Sequence, residues 1–507
     1  MKVFTTPLIR DADAYTIRHL PISSTDLMEK AATACAHWIC SRFPATVPVC
    51  VFCGTGNNGG DGLAVTRLLR ARGYTAQAWL VTSADRLSPD CAINRERLEQ
   101  AGEGPVMIRS ATEFPLLPAG ALVVDALLGT GLTRPLSGLM RDIVLRINDL
   151  HNPVISVDIP SGMYADQPPA KDGITVRATH TLSFMFYKLA FLLPASAPAA
   201  GKVTVLPIGL HPDYIAETPT PYQTIDARLI RRFYKKRAAF SHKGTYGHAL
   251  LAAGSFGKMG AALLSARACL CSGAGLLSCR IPRCGYIPLQ TALPEAMCLC
   301  DEEETHLVPG ERDDTPYQSI GIGPGIGQHP DTVRALEQLL QGAGSPVVLD
   351  ADALNILARH PELWKHVPAG SLLTPHPKEF ERLFGPDADD FARLEKMRKA
   401  CAEHSVYIIL KGHHSCTCTP EGNFFFNTSG NAGMATAGSG DTLTGILTGL
   451  LAQRYTPLET ALLGTYIHGR AGDHAAAALS PESMLASDII DHLGAAFLEI
   501  AGTDMQH

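Results

Sequence analysis

Residues 47–62, VPVCVFCGTGNNGGDG, join an apolar run to a glycine-rich turn. VPVCVF (47–52) has the length and composition of a buried strand. Gly54, Gly56 and Gly59 then spell G-x-G-x-x-G, the glycine spacing of a dinucleotide-binding turn. Such a turn is ordinarily small and apolar, and an acid closes the second strand to meet the ribose. Here the second strand ends VTSAD, which puts Asp85 late for that role, and the turn itself carries Asn57, Asn58 and Asp61. Oxygen-bearing side chains beside open backbone suit a hard cation better than bare phosphate. Asp61 is equally a candidate cap for the helix DGLAVTRLLRARG (61–73).

Outward from this stretch the same grammar repeats. AQAWLVT, ALVVDALLG, VISVDIPSG and KVTVLPIGL read as strands ending in polar or glycine-rich turns, with helical stretches between. HPDYIAETPTPYQT (211–224) lacks periodicity and reads as a linker. The alternation then restarts with GHALLAAGS (247–255), a helix of small residues (261–273), SIGIGPGIG, PVVLDADALN, SLLTPHPKEF and YIILKGHHS. A last long helix begins at Asp441, after AGSG. Strand–helix alternation predicts parallel sheets covered by helices on both faces, here as two α/β domains in tandem.

Composition agrees. A chain of 507 residues exceeds one ordinary domain. With 46% apolar and 18% charged residues it can bury large cores. A net charge of −6 argues against nucleic acid as a partner. MKVFTTPLIRDADAY has no apolar stretch of signal-peptide length, and residues 182–199 contain Lys188 and two prolines, which disfavours a membrane span. The 14 cysteines are expected to be reduced, in a cytoplasmic protein. Cys50 and Cys53 form C-x-x-C but sit three apart on a strand, where side chains face opposite ways; Cys416 and Cys418 read as ordinary strand residues.

Ligands of open parallel sheets bind at the carboxyl ends of strands. In the first half that places Asn57–Asp61, Asp125, Asp158, Ser161 and the loop GTGLTRP (129–135) at one crevice. In the second half, GSGD (438–441) sets an acid at a helix start opened by glycine. Free N–H groups there, with the helix dipole, make an anion hole. Asp441 could take a proton from a substrate hydroxyl beside it, or could cap the helix. Lys411, after strand YIIL, could reach a phosphate or stand solvated. His376, between two prolines, could bind a ligand or satisfy a turn. His242 and Lys243 have the same two readings. Lys258, in GSFGKMGAA, lacks the P-loop spacing.

The motifs SHKGTYGHALLAAGS, GIGPGIG, DADALN, LTPHPKEF and GNAGMATAGSGDTLTGILTGLLAQ together resemble the ADP-dependent NAD(P)H-hydrate dehydratases, which have a ribokinase-like α/β fold. GTGNNGGDG, DALLGTGLTRP and VDIPSG are similar to NAD(P)H-hydrate epimerases, whose domain is a Rossmann-like three-layer α/β structure. The tandem order matches the bifunctional repair enzymes of bacteria. The resemblance implies an epimerase domain over 1–215 and a dehydratase domain over 225–503. It implies that Asn57, Asn58, Gly59, Gly60, Asp61, Gly129, Thr130, Gly131, Leu132, Thr133, Arg134 and Pro135 hold the hydrated nucleotide. Asn58, Asp125 and Ser161 would bind potassium, and Asp158 would be the acid–base group. In the second domain Ala262, Gly325, His376 and Asp441 would line the substrate site, and Lys411, Gly412, His413, His414, Ser415 and Gly440 the adenine nucleotide, ADP or ATP, with Mg2+. A homo-oligomer is expected. Two departures from the family pattern fall in the epimerase half: Tyr164 replaces an asparagine two residues before Asp166, and Lys188 has an altered setting. The rival readings are a ribokinase-superfamily small-molecule kinase and, for the first half, an inactive ligand-binding scaffold.

Overall fold

The computed structural model describes residues 1–82, 86–310 and 316–502; Asp85 and the end of the predicted 225–503 span, residue 503, lie outside the described residues. The chain divides into two compact units, Lys2–Thr220 with Asp389–Phe391, and Pro221–Ala388 with the chain from Ala392 onward and Met1.

The first unit holds seven strands: β1 (Val49–Cys53), β2 (Ala76–Val81), β3 (Val106–Ile108), β4 (Leu122–Ala126), β5 (Val154–Val157), β6 (His180–Phe184) and β7 (Lys202–Leu206). They run in the order 3-2-1-4-5-6-7, and every pair is parallel. The order reverses between β1 and β4, the switch point at which open α/β sheets bind ligands. Alternate residues of β1 serve opposite cores. Val49, Val51 and Cys53 meet Ala32, Cys35 and Ile39 of helix Ser24–Cys40 and Leu63 of helix Asn57–Arg70. Cys50 and Phe52 meet Ile143, Val144 and Ile147 of helix Gly138–Asn148. Cys50 and Cys53 therefore face different sides, as a period of two requires.

The turn after β1 is tighter than the sequence suggests. The helix starts at Asn57, capped by Gly56, not at Asp61. A Cβ at Gly59 would lie 1.8 Å from Gly54 O, and one at Gly54 would lie 1.9 Å from Leu127 O. Without side chains at these two positions, helix and strand backbones touch directly. Asp61 thus sits one full turn inside the helix and does not cap it.

The second unit carries ten strands: β8 (Tyr222–Ile225), β9 (His248–Ala252), β10 (Leu276–Ile281), β11 (Met297–Cys300), β12 (Ser319–Ile322), β13 (Val347–Leu349), β14 (Leu372–Leu373), β15 (Tyr407–Leu410), β16 (Cys416–Cys418) and β17 (Phe424–Asn427). Their order is 11-10-9-12-13-14-15-16-17-8. Only β16 runs against its neighbours. The segment 211–224, read as a linker, instead holds helix Pro212–Glu217 and most of β8, whose partner is β17. Helices Met259–Cys271 and Ser439–Ala452 pack against each other through small residues: a Cβ at Gly445 would stand 2.1 Å from Ser265 O, and one at Gly449 2.1 Å from Ser272 Oγ. No helix among the described residues is long and apolar enough to cross a membrane.

Candidate active sites

In the first unit, Asp125 is the last but one residue of β4 and is fully buried. Ser161 Oγ donates to it at 2.6 Å, Ser161 N at 2.9 Å, Ser156 Oγ at 2.8 Å and Leu127 N at 3.2 Å. Burial still raises the pKa of the carboxyl, against these hydrogen bonds. Asn58 stands against the Gly129 loop. Its Oδ1 and Nδ2 are both buried without a hydrogen-bond partner, and a Cβ at Gly129 would come within 3.9 Å of Oδ1. An unbonded buried carboxamide is costly and signals a missing partner.

Asp158 follows β5 in the left-handed region, φ 66°. That conformation is strained for a side-chain-bearing residue, and such strain gathers at functional sites. Its carboxylate accepts from Phe184 N at 3.3 Å and forms a very short ion pair with Lys188. Lys188 is 1% exposed, and its Nζ also donates to Ser183 Oγ at 2.8 Å. The ammonium is thus a fixed counter-charge. Two further acids share its neighbourhood. Burial pushes the Asp61 carboxyl well above its usual range, and Asp158, Asp13 and Asp90 add to the rise. Asp13, on helix Thr6–His19, is pushed up to about 7 by burial and by Asp158, against the pull of Lys188. Two buried carboxyls with raised pKa values beside an ion-paired third suit acid–base chemistry.

Sequence reading passed over Asp13 and left Lys188 without a partner. Asp13 sits in an N-terminal helix far along the chain from the strand ends, and only tertiary packing brings it here. Asp166 fastens the start of that helix, accepting from Thr6 N at 2.6 Å. The other predicted residues divide. Gly60 is buried against Met28 and Cys91, and Asn57 is exposed. Gly129, Thr130 and Leu132 are half-buried, while Gly131, Thr133, Arg134 and Pro135 are exposed.

In the second unit the strand ends converge in the same way. The switch point lies between β9 and β12. A Cβ at Gly323 would stand 1.8 Å from Asp350 O, and Gly325, at φ 66°, gives its carbonyl to Ser255 Oγ at 2.7 Å. Asp350, after β13, is 1% exposed; its Oδ1 accepts from Lys411 Nζ at 2.7 Å and its Oδ2 from Thr444 Oγ1 at 2.7 Å. Glu379 Oε2 stands 3.9 Å from the same ammonium. Lys411 is therefore held inward and is not a solvated strand end. Asp352 accepts from Gly327 N at 2.9 Å and stands 3.5 Å from Lys258 Nζ.

Asp441 is the third residue of helix Ser439–Ala452, whose cap is Gly438 at φ 90°. It makes no capping bond. Burial pushes its carboxyl up to about 6; Asp350 and Asp352 add to this, and Lys411 opposes it. A Cβ at Gly440 would stand 3.3 Å from Lys411 Nζ and 3.7 Å from Asp350 Oδ2, so glycine keeps the approach to the ion pair clear. His376 caps helix Pro377–Phe384: its Nδ1 accepts from Lys378 N at 3.1 Å and Glu379 N at 3.3 Å, and Glu379 Oε2 accepts from His376 N at 2.9 Å. Burial and then the Lys411 charge lower its pKa. His414 is pushed down to about 4 by burial, so it is neutral at neutral pH. Gly412 and His413 are exposed beside it. Ala262 is fully buried in the first turn of its helix. Asp350, Asp352 and Glu379 were not singled out from sequence; the signal for the first two was the pair of acids directly after β13, and Glu379 stands in the first turn of helix Pro377–Phe384.

A family model described as NAD(P)H-hydrate dehydratase matches residues 249–494, and one described as YjeF-related protein N-terminus matches residues 24–190. The bifunctional NAD(P)H-hydrate repair enzyme of Moorella thermoacetica is 35% identical over 93% of this chain and 92% of its own. That of Escherichia coli (strain K12) is 33% identical over 94% of this chain and 90% of its own. A solved ADP/ATP-dependent NAD(P)H-hydrate dehydratase from Bacillus subtilis, co-crystallised with ATP/Mg2+, is 30% identical, covers 55% of this chain and 98% of that one, and has a TM-score of 0.48. With relatives of this identity spanning almost its whole length, the chain belongs to the bifunctional NAD(P)H-hydrate repair enzymes.

Proposed function

We propose that residues 1–215 form a Rossmann-like epimerase domain and residues 225–503 a ribokinase-like dehydratase domain. The protein is a metabolite-repair enzyme, an isomerase and a lyase. It interconverts the R and S hydrates of NADH and NADPH at C6 and dehydrates the S form to NAD(P)H using an adenine nucleotide.

For dehydration, hydroxide is a poor leaving group and phosphate a good one. Phosphoryl transfer to the C6 hydroxyl followed by loss of phosphate meets that need. Asp441 accepts the hydroxyl proton; at about 6 its pKa leaves it ionised at neutral pH and close to the operating range that favours a general base. The opened helix start beside it receives phosphate oxygens. Lys411, Gly412, His413, His414, Ser415 and Gly440 bind ADP or ATP. Ala262, Gly325 and His376 position the hydrated ring. Mg2+ would accompany the nucleotide and offset the charge of its phosphates.

For epimerisation, C6 carries the hydroxyl and is bonded to the ring nitrogen. Its configuration exchanges when the hydroxyl takes a proton and leaves as water, the ring-nitrogen lone pair forming a C=N bond to C6, and water then adds to the other face and gives the proton back. Asp158 moves the proton, Lys188 fixes its orientation, and Asn57–Asp61 with Gly129–Pro135 hold the nucleotide. Asn58, Asp125 and Ser161 fit potassium: the buried, unbonded Asn58 carboxamide offers an oxygen, and Asp125 offers charge. Asp125 already accepts four donors, so its contribution is mainly electrostatic. When bound there, the ion would supply a fixed positive charge for the substrate.

The observation that carries the reading is Asp441, a carboxylate uncommitted to capping at a glycine-opened helix start beside the Asp350–Lys411 pair. Purified S hydrate with ADP or ATP tests it. Recovery of reduced-nicotinamide absorbance in the wild type and its loss in Asp441→Asn are expected. A stable phosphorylated alcohol would make the protein a kinase instead.

A further inference from the structure

Outside the two sites, one cluster of mixed ligating side chains stands among the described residues. His306 lies in the segment after β11; His329 caps helix Pro330–Gly342, and Asp331 is its second residue. One ring nitrogen from each histidine and one Asp331 carboxylate oxygen lie within 4.8 Å of one another. We propose that His306, His329 and Asp331 form a binding site for a transition-metal ion of the zinc class.

Three observations support it. His329 Nδ1 accepts from Asp331 N at 3.2 Å, a bond the ion would displace, and His306 Nε2 and His329 Nδ1 each stand 3.5 Å from Asp331 Oδ2. That is too long for a good hydrogen bond, and it is close to the ligand–ligand spacing around a tetrahedral ion with bonds of about 2.0–2.1 Å. The second ring nitrogen of His306, Nδ1, lies 2.9 Å from Thr305 Oγ1. A proton on Nδ1 donated there leaves the Nε2 lone pair facing Asp331, the way outer partners orient metal-ligating histidines. Finally, the frame is fixed while access stays open. Thr332 Oγ1 donates to Leu307 O at 3.1 Å and ties the His306 segment to the helix, whereas His329 is half exposed. Arg334 engages Asp331 Oδ1 and leaves Oδ2 to the histidines.

Two imidazoles and one carboxylate favour zinc, cobalt or nickel over magnesium, which prefers oxygen alone. Water completes the coordination. The ion would clamp the 305–308 segment to the helix that follows the Gly323–Gly327 loop. Thr305 O also accepts from Phe256 N at 2.8 Å, in the loop preceding the Ala262 helix, so the clamp borders the dehydratase site without entering it.

The test is a Co2+ titration of the full-length, chelator-stripped protein in excess Mg2+, which occupies oxygen-only sites. Visible d–d absorption and binding heat are read. One equivalent is expected, with at least tenfold weaker binding and loss of the d–d band in His306→Gln and in His329→Gln. His306 caps no helix, so its variant tests the ligand role without disturbing a helix end, and circular dichroism checks the fold of both. Unchanged binding in either variant, or no uptake at micromolar Co2+, overturns the assignment. So does a near-ultraviolet thiolate band, which would place the ion on cysteine. None of these readouts depends on the proposed catalytic roles.

Discussion

Lys411 Nζ lies 2.7 Å from Asp350 Oδ1, and Thr444 Oγ1 fastens the other oxygen of that carboxylate at 2.7 Å. One buried acid thereby joins the end of β15 to the helix that carries Asp441. Removing one partner of a buried ion pair strands the other charge and costs about 3 kcal/mol or more. Asp350→Asn is therefore expected to lose dehydratase activity and to speed hydrogen exchange at the amides of β13 and β15. Exchange unchanged from the wild type would show the pair to be unimportant.

Asp441 gives a pH signature. With its carboxyl at about 6 in the folded protein, dehydration should fall roughly tenfold per pH unit below that value, because the base is protonated. Stability follows by linkage. The folded pKa lies above the ordinary value of 3.8, so folding favours the protonated form. The resulting stabilisation is present below the unfolded pKa and is lost as pH rises through about 6. Asp441→Asn should thus match the wild type in melting temperature near pH 3.5, exceed it increasingly between pH 4 and 6, and hold a constant margin above. A margin independent of pH would contradict the assignment.

Burial raises the Asp13 pKa most, and the Asp158–Lys188 pair tunes it. Asp158 raises the Asp13 pKa and Lys188 lowers it. Carboxyl NMR should find the Asp13 midpoint, near 7 in the wild type, moved upward in Lys188→Met and downward in Asp158→Asn. Both variants should lose epimerisation. Opposite shifts, or none, would separate Asp13 from this site.

Glycine positions offer a structural control. A methyl at Gly59 would overlap Gly54 O, while nothing lies within 4 Å of a Cβ at Gly56. Gly59→Ala should destabilise the first unit by about 1–3 kcal/mol or more, as overpacking does, and Gly56→Ala should be tolerated. Denaturant midpoints of the two variants decide it.

Much of this was legible in the sequence because strands of parallel sheets are short apolar runs with polar ends. The strands around 47–53, 122–126, 154–157 and 248–252 follow from that pattern, and so does the meeting of Asp125 with Ser161; Asp158 pairs instead with Lys188. The helix start at Asn57 was not legible. Asp61 looks like a cap, and only the backbone contact between Gly54 and Gly59 shows the helix beginning four residues earlier. Helix Pro212–Glu217 and β8 were hidden by Pro and Thr, since β8 is stabilised by pairing with β17, about 200 residues away. Asp13 and the Lys188 ion pair depend on contacts between distant segments, which local pattern does not encode. Lys411 read as a phosphate ligand or a solvated group; its inward bond to Asp350 needed the sheet order.

The most direct test supplies the mixed R and S hydrates with adenine nucleotide and follows recovery of NAD(P)H. The wild type should convert the whole mixture. Asp158→Asn should stop once the S form is consumed, and Asp441→Asn should recover none. Complete conversion by Asp158→Asn, or any sustained recovery by Asp441→Asn, would contradict the division of the two activities between these two carboxylates.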